Sequence, residues 1–238
     1  MFHNYSNIIA LCQPEKLHYF KCINSCGDVN MLITEIVNLA EAVANRTIAI
    51  YPGRFHPFHK GHKFVYDYLA SRYDAVFIAT SDKQADGSPF SFEDKKRMMM
   101  LTGVPASSIV FTKQPYVPNE ILDKLDASNT AAVFGVGKKD MDEGNPRFKV
   151  GLKKNGEPTY YQHNTKDKQT FDKHGYLEVV PTQKFTVLGQ PATSATELRK
   201  QYATLNDQQA QAFINDLFGS FDKDVMTIMD KKLGRNNG

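Results

Sequence analysis

The stretch that decides the fold is Tyr51-Pro-Gly-Arg-Phe-His-Pro-Phe-His-Lys-Gly-His62. It follows a short apolar run at residues 47–51 and opens into an amphipathic run at residues 63–70. When a strand passes through a loop with glycine and proline into a helix, the first N–H groups of the helix point at the loop. The stretch therefore predicts a phosphate site at the first strand–helix junction, where open α/β sheets bind nucleotides.

Two histidines, His59 and His62, lie where the predicted helix begins. An imidazole there can donate a hydrogen bond to a phosphate oxygen, whether the ring is neutral or protonated. Gly53 permits a tight turn after the strand, and Gly61 permits a close approach to a ligand. Helix capping or simple surface exposure explains a single histidine better, but an ordered cluster with glycines and prolines favours a binding function.

The following 75 or so residues alternate between strand and helix patterns, at the short spacing typical of βαβ units. Residues 74–80 have a fully apolar centre, which is typical of a strand covered on both faces of a parallel sheet. Ser91 and Asp94 have the Ser-x-x-Asp spacing of a helix start. These patterns predict an α/β fold, a Rossmann-like doubly wound parallel sheet with helices on both faces. The predicted strands are 47–51, 74–80, 109–112 and 131–136, and the predicted helices are 61–72, 91–101 and 118–125.

The remaining segments suggest a domain organisation. We expect a poorly structured leader at 1–30, an N-terminal helix at 31–45 and the Rossmann-like domain at 46–200. Residues 201–238 are expected to form C-terminal helices packed on the same domain, at 207–218 and 222–233.

One stretch departs from the alternating pattern. Residues 137–184 are rich in Lys, Asn, Gly and Tyr, so we expect an insertion or flap beside the carboxyl edge of the sheet. Short strands are expected within it at 159–162 and 177–180, and one more strand follows at 184–188.

A second motif, Ser194-Ala-Thr-Glu-Leu-Arg199, follows that last strand. Ser194 and Glu197 fit a capping box, so a purely structural role competes with a binding role. The two are compatible, because a capped helix start is also where a phosphate would lie, within reach of hydroxyls and of Arg199. Gly135-Val-Gly-Lys-Lys-Asp140 is a weaker third motif, in which Lys138 or Lys139 is either a phosphate contact or an ordinary solvated lysine.

Composition excludes several classes of protein. The chain has 238 residues and a formal net charge of only +3 with scattered basic residues, which argues against a dedicated nucleic-acid binder. It has no apolar run long enough to span a membrane. The cysteines, Cys12, Cys22 and Cys26, suggest neither a disulfide framework nor a convincing metal site, and a cytoplasmic location is expected.

The first two motifs together resemble those of the nucleotidyltransferase superfamily with the His-x-Gly-His signature. The version Gly53-Arg-Phe-His-Pro-Phe-His-Lys-Gly-His62 is most similar to the nicotinamide-mononucleotide adenylyltransferase branch, and Ser-x-Thr-x-x-Arg at 194–199 is the expected partner motif. The resemblance covers residues 46–200. Stretches at 92–98 and 114–120 also resemble nucleotidyltransferase-like proteins of tailed phages, which would place the protein in a host cytoplasm.

The resemblance implies a role for each matching position. His59, His62 and Arg199 would be catalytic: the histidines would bind the triphosphate and stabilise charge at the attacked α-phosphate, and Arg199 would hold the β- and γ-phosphates. No protein side chain is assigned to the metal, and Mg²⁺ would bridge the triphosphate oxygens. The other nucleotide-binding positions would be Gly53, Arg54, Phe55, Gly61, Gly137, Lys138, Asp140, Ser194 and Thr196.

The chain also departs from the family pattern. His56 stands where this branch often has Gln, so we assign it tentatively to the acceptor. Thr193 and Ala195 replace residues common in the second motif, at positions that mainly pack.

These features predict an enzyme that transfers a nucleoside monophosphate, AMP in preference, to a phosphate-bearing acceptor such as nicotinamide mononucleotide, releasing pyrophosphate. The expected partners are ATP or CTP and a small phosphorylated acceptor, with no membrane or nucleic acid, and a homo-oligomer is allowed. One alternative is a cytidylyltransferase acting on a sugar or alcohol phosphate. A non-catalytic nucleotide sensor is another, and a fragment related to class I aminoacyl-tRNA synthetases ranks last because no Lys-Met-Ser-Lys-Ser stretch is present.

Overall fold

A parallel sheet of six strands forms the centre of the protein, in a computed structural model that describes residues 44–85, 87–141, 147–192 and 194–235. The strand order is β3-β2-β1-β4-β6-β5. Because the order runs outward from β1 in both directions, the predicted doubly wound α/β fold is confirmed. The strands are β1 Arg46–Pro52, β2 Ala75–Thr80, β3 Ile109–Phe111, β4 Thr130–Val136, β5 Tyr161–His163 and β6 Gly175–Val179.

The central strands are buried on both faces, as their composition predicts. All seven residues of β4 are buried, and the last five residues of β1 are buried as well. These two strands pair in parallel from Arg46 opposite Thr130 to Ile50 opposite Phe134. Continuous apolar runs of this kind are stable only where helices cover both faces of a sheet.

The first three helices lie close to their predicted places: α1 is Lys60–Ala70, α2 is Phe92–Leu101 and α3 is Asn119–Leu122. The predicted start of α2 is confirmed by a capping box. Ser91 Oγ accepts a hydrogen bond from the Asp94 N–H at 3.2 Å, and Asp94 Oδ2 accepts one from the Ser91 N–H at 2.9 Å. The leader at 1–30 and the predicted helix up to residue 43 lie outside the described residues.

The stretch 137–184 contributes two strands to the sheet itself. The predicted short strands are shifted by a few residues to β5 and β6, and β6 pairs in parallel with β4. Gly175 at the start of β6 allows this pairing, because a Cβ there would lie 2.9 Å from Tyr160 and 3.0 Å from Phe134. Close packing between aromatic rings therefore makes this part of the stretch a sheet edge and not a flap beside the sheet.

The predicted strand at 184–188 is shorter than expected and lies apart from the main sheet. Thr186–Val187, β7, pairs in antiparallel with Gln190–Pro191, β8, to form a small separate hairpin. Leu188 and Gly189 both have positive φ, 51° and 73°, at the turn. This turn reverses the chain before the strand can extend.

Three helices close the chain: α4 Ala195–Tyr202, α5 Asp207–Phe218 and α6 Lys223–Leu233. The predictions for α5 and α6 are confirmed, with left-handed glycines at the two C-caps. The buried faces of α4, α5 and α6 join Phe90 and Met98 in one apolar cluster. Across the described part of the chain, no helix is both long and apolar enough to cross a membrane.

Candidate functional site

A cavity of about 290 Å³ opens at the carboxyl ends of β1, β4 and β6. It lies where the strand order reverses, between β1 and β4, which is the position where open α/β sheets bind ligands. The loop of the first motif and the start of α1 form one wall. The lining residues are Tyr51–Phe55 and His59, Gly61, His62 and Val65 on that wall, with Tyr116, Gly135, Val136, Gly137, Asp140, Val180, Pro181, Thr182 and Gln183 opposite.

His59 and His62 form a stacked pair at the start of α1. His59 is the N-cap residue, and its Nδ1 accepts a hydrogen bond from the Gly61 N–H at 3.2 Å. The two imidazole rings lie 3.8 Å apart between centroids with an interplanar angle of 23°. Both line the cavity, so the structure places the two motif histidines together where the phosphate was predicted.

Burial keeps both histidines neutral. It lowers the pKa of His59 to about 4, and the neighbouring Lys60 ammonium acts in the same direction. Burial and the adjacent His59 ring hold the pKa of His62 well below its usual value. Since Nδ1 of His59 is a hydrogen-bond acceptor, its proton lies on Nε2 and that N–H is available to a ligand.

Aromatic rings surround the histidine pair and account for its desolvation. The His62 ring packs edge to face against Phe55 at 5.1 Å and lies at a tilt of 37° to the Phe58 ring at 5.3 Å. His62 Nδ1 is buried and has no hydrogen-bond partner among the described residues. Such apolar surroundings strongly favour the uncharged form of the His62 ring.

The glycines of the motif are required by close contacts. A Cβ at Gly61 would lie 2.9 Å from Phe185 Cε1 and 3.1 Å from two atoms of the His59 ring. A Cβ at Gly53 would lie 2.5 Å from the Phe55 ring, which turns back over it with a φ of 49° at Phe55. Only a glycine permits these approaches without moving the histidine pair or its aromatic support.

His56 is buried beside the cavity and is absent from its lining. Its Nδ1 accepts a hydrogen bond from the Phe90 N–H at 3.4 Å, and its ring stacks on Phe90 at 6.0 Å. Burial lowers the pKa of His56 to about 4, and the charges of Lys95, Arg199 and Arg54 add to the effect. This neutral ring holds the segment at residue 90 against the loop, and its predicted acceptor contact stays a prediction.

The second motif reaches the first through Arg199. Its Nη1 donates to the His56 carbonyl at 2.5 Å, across 143 residues of sequence, and its Nη2 donates to Thr196 Oγ1 at 3.3 Å. Ser194 caps α4 by accepting the Glu197 N–H at 3.2 Å, as the capping interpretation predicts. Ser194, Thr196 and Arg199 do not line the cavity, and Thr193 lies outside the described residues.

The third motif borders the cavity through Gly137 and Asp140. Asp140 Oδ2 accepts the Gly137 N–H at 3.2 Å, and its Oδ1 lies 3.4 Å from Arg147 Nε. The guanidinium of Arg147 lies 4.3 Å from the centre of the Tyr116 ring, which also lines the cavity. Lys138 is exposed and does not line the cavity, and the side chain of Lys139 is outside what the structure describes.

Sequence reasoning missed one wall of the cavity. Val180, Pro181, Thr182 and Gln183 follow β6 directly, and Tyr116 precedes α3. The available signal was the run Tyr176-Leu-Glu-Val-Val180, which is apolar except for Glu178 and is followed by Pro-Thr-Gln, the pattern of a buried strand leading into a site loop. Because residues 137–184 were expected to form an insertion or flap, residues 180–183 were not predicted to line the site.

Within residues 44–85, 87–141, 147–192 and 194–235, no three His, Cys, Asp or Glu side chains are grouped so as to hold a metal ion. Asp140 is the carboxylate of the cavity lining, and Gly137 and Arg147 already occupy its oxygens.

The fold and the cavity together define a doubly wound α/β protein with a ligand site at the switch point of its sheet. Residues 50–155 match the family model described as Cytidylyltransferase-like. The predicted resemblance to this class of nucleotidyltransferases is therefore confirmed for that segment, which contains the first and third motifs. The second motif lies beyond the matched residues.

Curated relatives refine the comparison. The nicotinamide-nucleotide adenylyltransferase of Sulfurisphaera tokodaii is 29% identical over 105 residues, covering 43% of this chain and 55% of the relative. Nicotinamide-nucleotide adenylyltransferase 1 of Sulfolobus acidocaldarius is 35% identical over 69 residues, covering 26% and 39%. The chain thus spans about half or less of the relatives it matches.

Among solved structures, the Plasmodium falciparum nicotinic acid mononucleotide adenylyltransferase complexed with NaAD is similar at a TM-score of 0.44 and 17% identity. The similarity covers 81% of this chain and 99% of that protein. A bifunctional NMN adenylyltransferase/ADP ribose pyrophosphatase from Francisella tularensis is similar at a TM-score of 0.45, over 79% and 53% of the two chains.

Proposed function

We propose that this protein is a nucleotidyltransferase that moves the AMP group of ATP onto a phosphate-bearing acceptor and releases pyrophosphate. The observation that supports this most strongly is the stacked, neutral His59–His62 pair at the start of α1, facing the switch-point cavity. Imidazole N–H donors at the positive end of a helix form a site for phosphate oxygens. The match of residues 50–155 to the cytidylyltransferase-like family agrees with that chemistry.

In the proposed reaction, an oxygen of the acceptor phosphate attacks the α-phosphorus of ATP, and the bond from that phosphorus to the pyrophosphate oxygen breaks. The chain supplies position and charge stabilisation, and no covalent intermediate with the protein is formed. The Nε2–H of His59 and the ring of His62 would hold the phosphate on which negative charge increases. Neutral donors are suited to this task, because they need no proton exchange at the moment of reaction.

Arg199 would hold the β- and γ-phosphates from the second motif. Its guanidinium already contacts the first loop through the His56 carbonyl, so a phosphate between the two helix starts would need little rearrangement. Ser194 and Thr196, at the start of α4, would add hydroxyl donors. Gly53, Arg54, Phe55 and Gly61 line the cavity and would contact the nucleotide from the loop side.

Mg²⁺ would be held chiefly by oxygens of the triphosphate, with a divalent charge that offsets the developing negative charge. One related structure, the Francisella tularensis protein, is described as complexed with AMP and an Mn ion.

Nicotinamide mononucleotide is the acceptor we propose, because the relatives named above are nicotinamide-nucleotide adenylyltransferases. Tyr116 offers an aromatic surface at the cavity wall, and the Arg147 guanidinium packs on the Tyr116 ring at 4.3 Å. Such surfaces suit a flat ring and a phosphate on the same ligand.

Pyrophosphate release from ATP and nicotinamide mononucleotide with Mg²⁺ tests the proposal. Reactions with CTP in place of ATP, and with sugar or alcohol phosphates as acceptors, test the cytidylyltransferase alternative in the same assay. If folded protein released no pyrophosphate with any pair while binding ATP in calorimetry, the non-catalytic sensor would replace this proposal.

A further inference from the structure

Lys95 is a lysine buried within the protein, away from the cavity. It lies on α2 and its side chain is fully inaccessible to solvent. The ammonium donates to Thr80 Oγ1 at 3.1 Å and to the Ser81 carbonyl, both at the carboxyl end of β2. Both of these hydrogen-bond acceptors are neutral oxygens, a hydroxyl and a carbonyl, and neither is a carboxylate. Buried lysines without a paired carboxylate are rare and are costly to the fold.

The segment that Lys95 anchors, described at residues 81–85 and 87–90, contacts both motifs of the site. At its far end, Phe90 donates its N–H to His56 and stacks on the His56 ring. At its turn, Gly87 lies against Arg199, so that a Cβ there would be 3.5 Å from Arg199 Nη2. The position of this segment is therefore coupled to the loop of the first motif and to the arginine of the second.

The same ammonium is part of a positive cluster at the carboxyl ends of β1 and β2. Burial lowers the pKa of Lys95 to about 8, against the opposing influence of Asp82 and Asp94. Burial is the main cause of the low pKa of His56, and the charges of Lys95, Arg199 and Arg54 lower it further. Asp82 already accepts the Phe92 N–H, and Asp94 accepts the Ser91 N–H and lies 3.6 Å from Lys232, so neither carboxylate is dedicated to Lys95.

We propose that Lys95 is a positioning residue of the triphosphate site, which fixes residues 87–90 against His56 and Arg199 and adds a positive charge behind the bound phosphates. The inference rests on the proposed function, since it assumes that a polyphosphate binds between the two helix starts. A bound polyanion would offset the cost of burying this cation.

Affinity for ATP with Mg²⁺, measured by calorimetry at pH 7 and pH 9, tests the inference. In the wild-type protein, affinity falls as pH rises, because Lys95 loses its proton while the phosphates stay ionised. K95M weakens binding about tenfold at pH 7, the size of one charge acting through several ångströms of protein, and removes most of the pH dependence. K95R keeps its charge at pH 9 and so retains the affinity there.

Lys96 provides the matched control, because it is the next residue on α2 and is only partly buried. K96M is expected to bind ATP like the wild type at both pH values. If K95M lowered the melting temperature but bound ATP with unchanged affinity, Lys95 would serve the fold alone and the inference would be overturned. If K95M did not fold, K95R would decide the question. A fall in the ATP affinity of K95R between pH 7 and pH 9 as large as that of the wild type would overturn the inference. Failure of the wild type to bind ATP would instead contradict the proposed function.

Discussion

At the scale of single residues, the main finding is the charge state of the histidines. From the sequence, His59 and His62 were equally able to act neutral or protonated, because an unperturbed imidazole titrates close to pH 7. Their burial among Phe55, Phe58 and each other favours the neutral form. Each ring therefore offers a single N–H, and its orientation determines what it can bind.

Replacing His62 with Ala should lower kcat by about two to three orders of magnitude, the effect typical of losing one donor to developing charge. Affinity for ATP should change much less, because Arg199 and the helix start remain. Steady-state kinetics of pyrophosphate release measure both. H163A, which alters an exposed histidine on β5, is the control and should keep full activity. Near-normal turnover of H62A would refute the assigned role.

The same burial predicts a loss of stability in acid. The pKa values of His56 and His59 are about 4 in the folded protein, below the usual 6.5, so the unfolded chain binds more protons between these values. The free energy of unfolding should therefore be at its full value above pH 6.5 and should fall as pH drops towards 4. Urea denaturation at pH 7, 6 and 5 measures this, and H59Q should show a smaller fall. An equal pH dependence in H59Q would exclude His59 as a source.

At the scale of elements, the structure brings α4 into contact with the loop that leads into α1. The starts of α1 and α4 are both defined by local capping, which the sequence predicts well. Their meeting depends on the hydrogen bond from Arg199 to the His56 carbonyl. This contact between the two motifs could not be predicted from the sequence of either motif alone.

Replacing Arg199 with Ala should chiefly weaken binding of ATP, by about tenfold to a hundredfold, the range expected for loss of a charge-assisted contact. The loop of the first motif should also loosen, because the His56 carbonyl loses its donor. Calorimetry with ATP measures the affinity, and K200A, at the exposed neighbouring position, should leave it unchanged. An unaltered affinity in R199A would contradict the place given to the second motif.

At the scale of the whole molecule, a buried arginine links the three C-terminal helices. Arg235 has a side chain only 1% exposed, and it pairs with Asp230 at 2.6 Å and with Asp207 at 2.8 Å. Its guanidinium also lies over the Tyr202 ring at 5.6 Å, so residues at the ends of α4, α5 and α6 meet at one cation. Because Tyr202 lies on α4, this cluster supports the same helix that bears Arg199.

Replacing Arg235 with Ala should lower the free energy of unfolding by roughly 3–5 kcal/mol, because Asp230 would keep a largely buried charge without its main cation. Urea denaturation at pH 7 measures the change. K231A, on an exposed position of α6, should alter stability by less than about 0.5 kcal/mol. A similar small effect for R235A would show that the ion pairs add nothing to the fold.

The sequence by itself determined the elements and the first half of the site. Apolar runs and caps predicted β1, β2, β4, α5 and α6 because those signals depend on residues a few positions apart. The order of histidines and glycines in the first motif predicted the junction that borders the cavity, since the strand–loop–helix geometry is local as well.

Tertiary structure decided the features that depend on distant partners. The place of β6 beside β4 follows from packing around Gly175, and it converts an expected flap into a strand and a cavity wall. The meeting of Arg199 with His56 and the neutrality of the histidine pair arise from burial and contacts over long sequence separations. Burial and long-range contacts depend on which parts of the chain pack together and exclude water, and this packing is established only when the whole chain has folded.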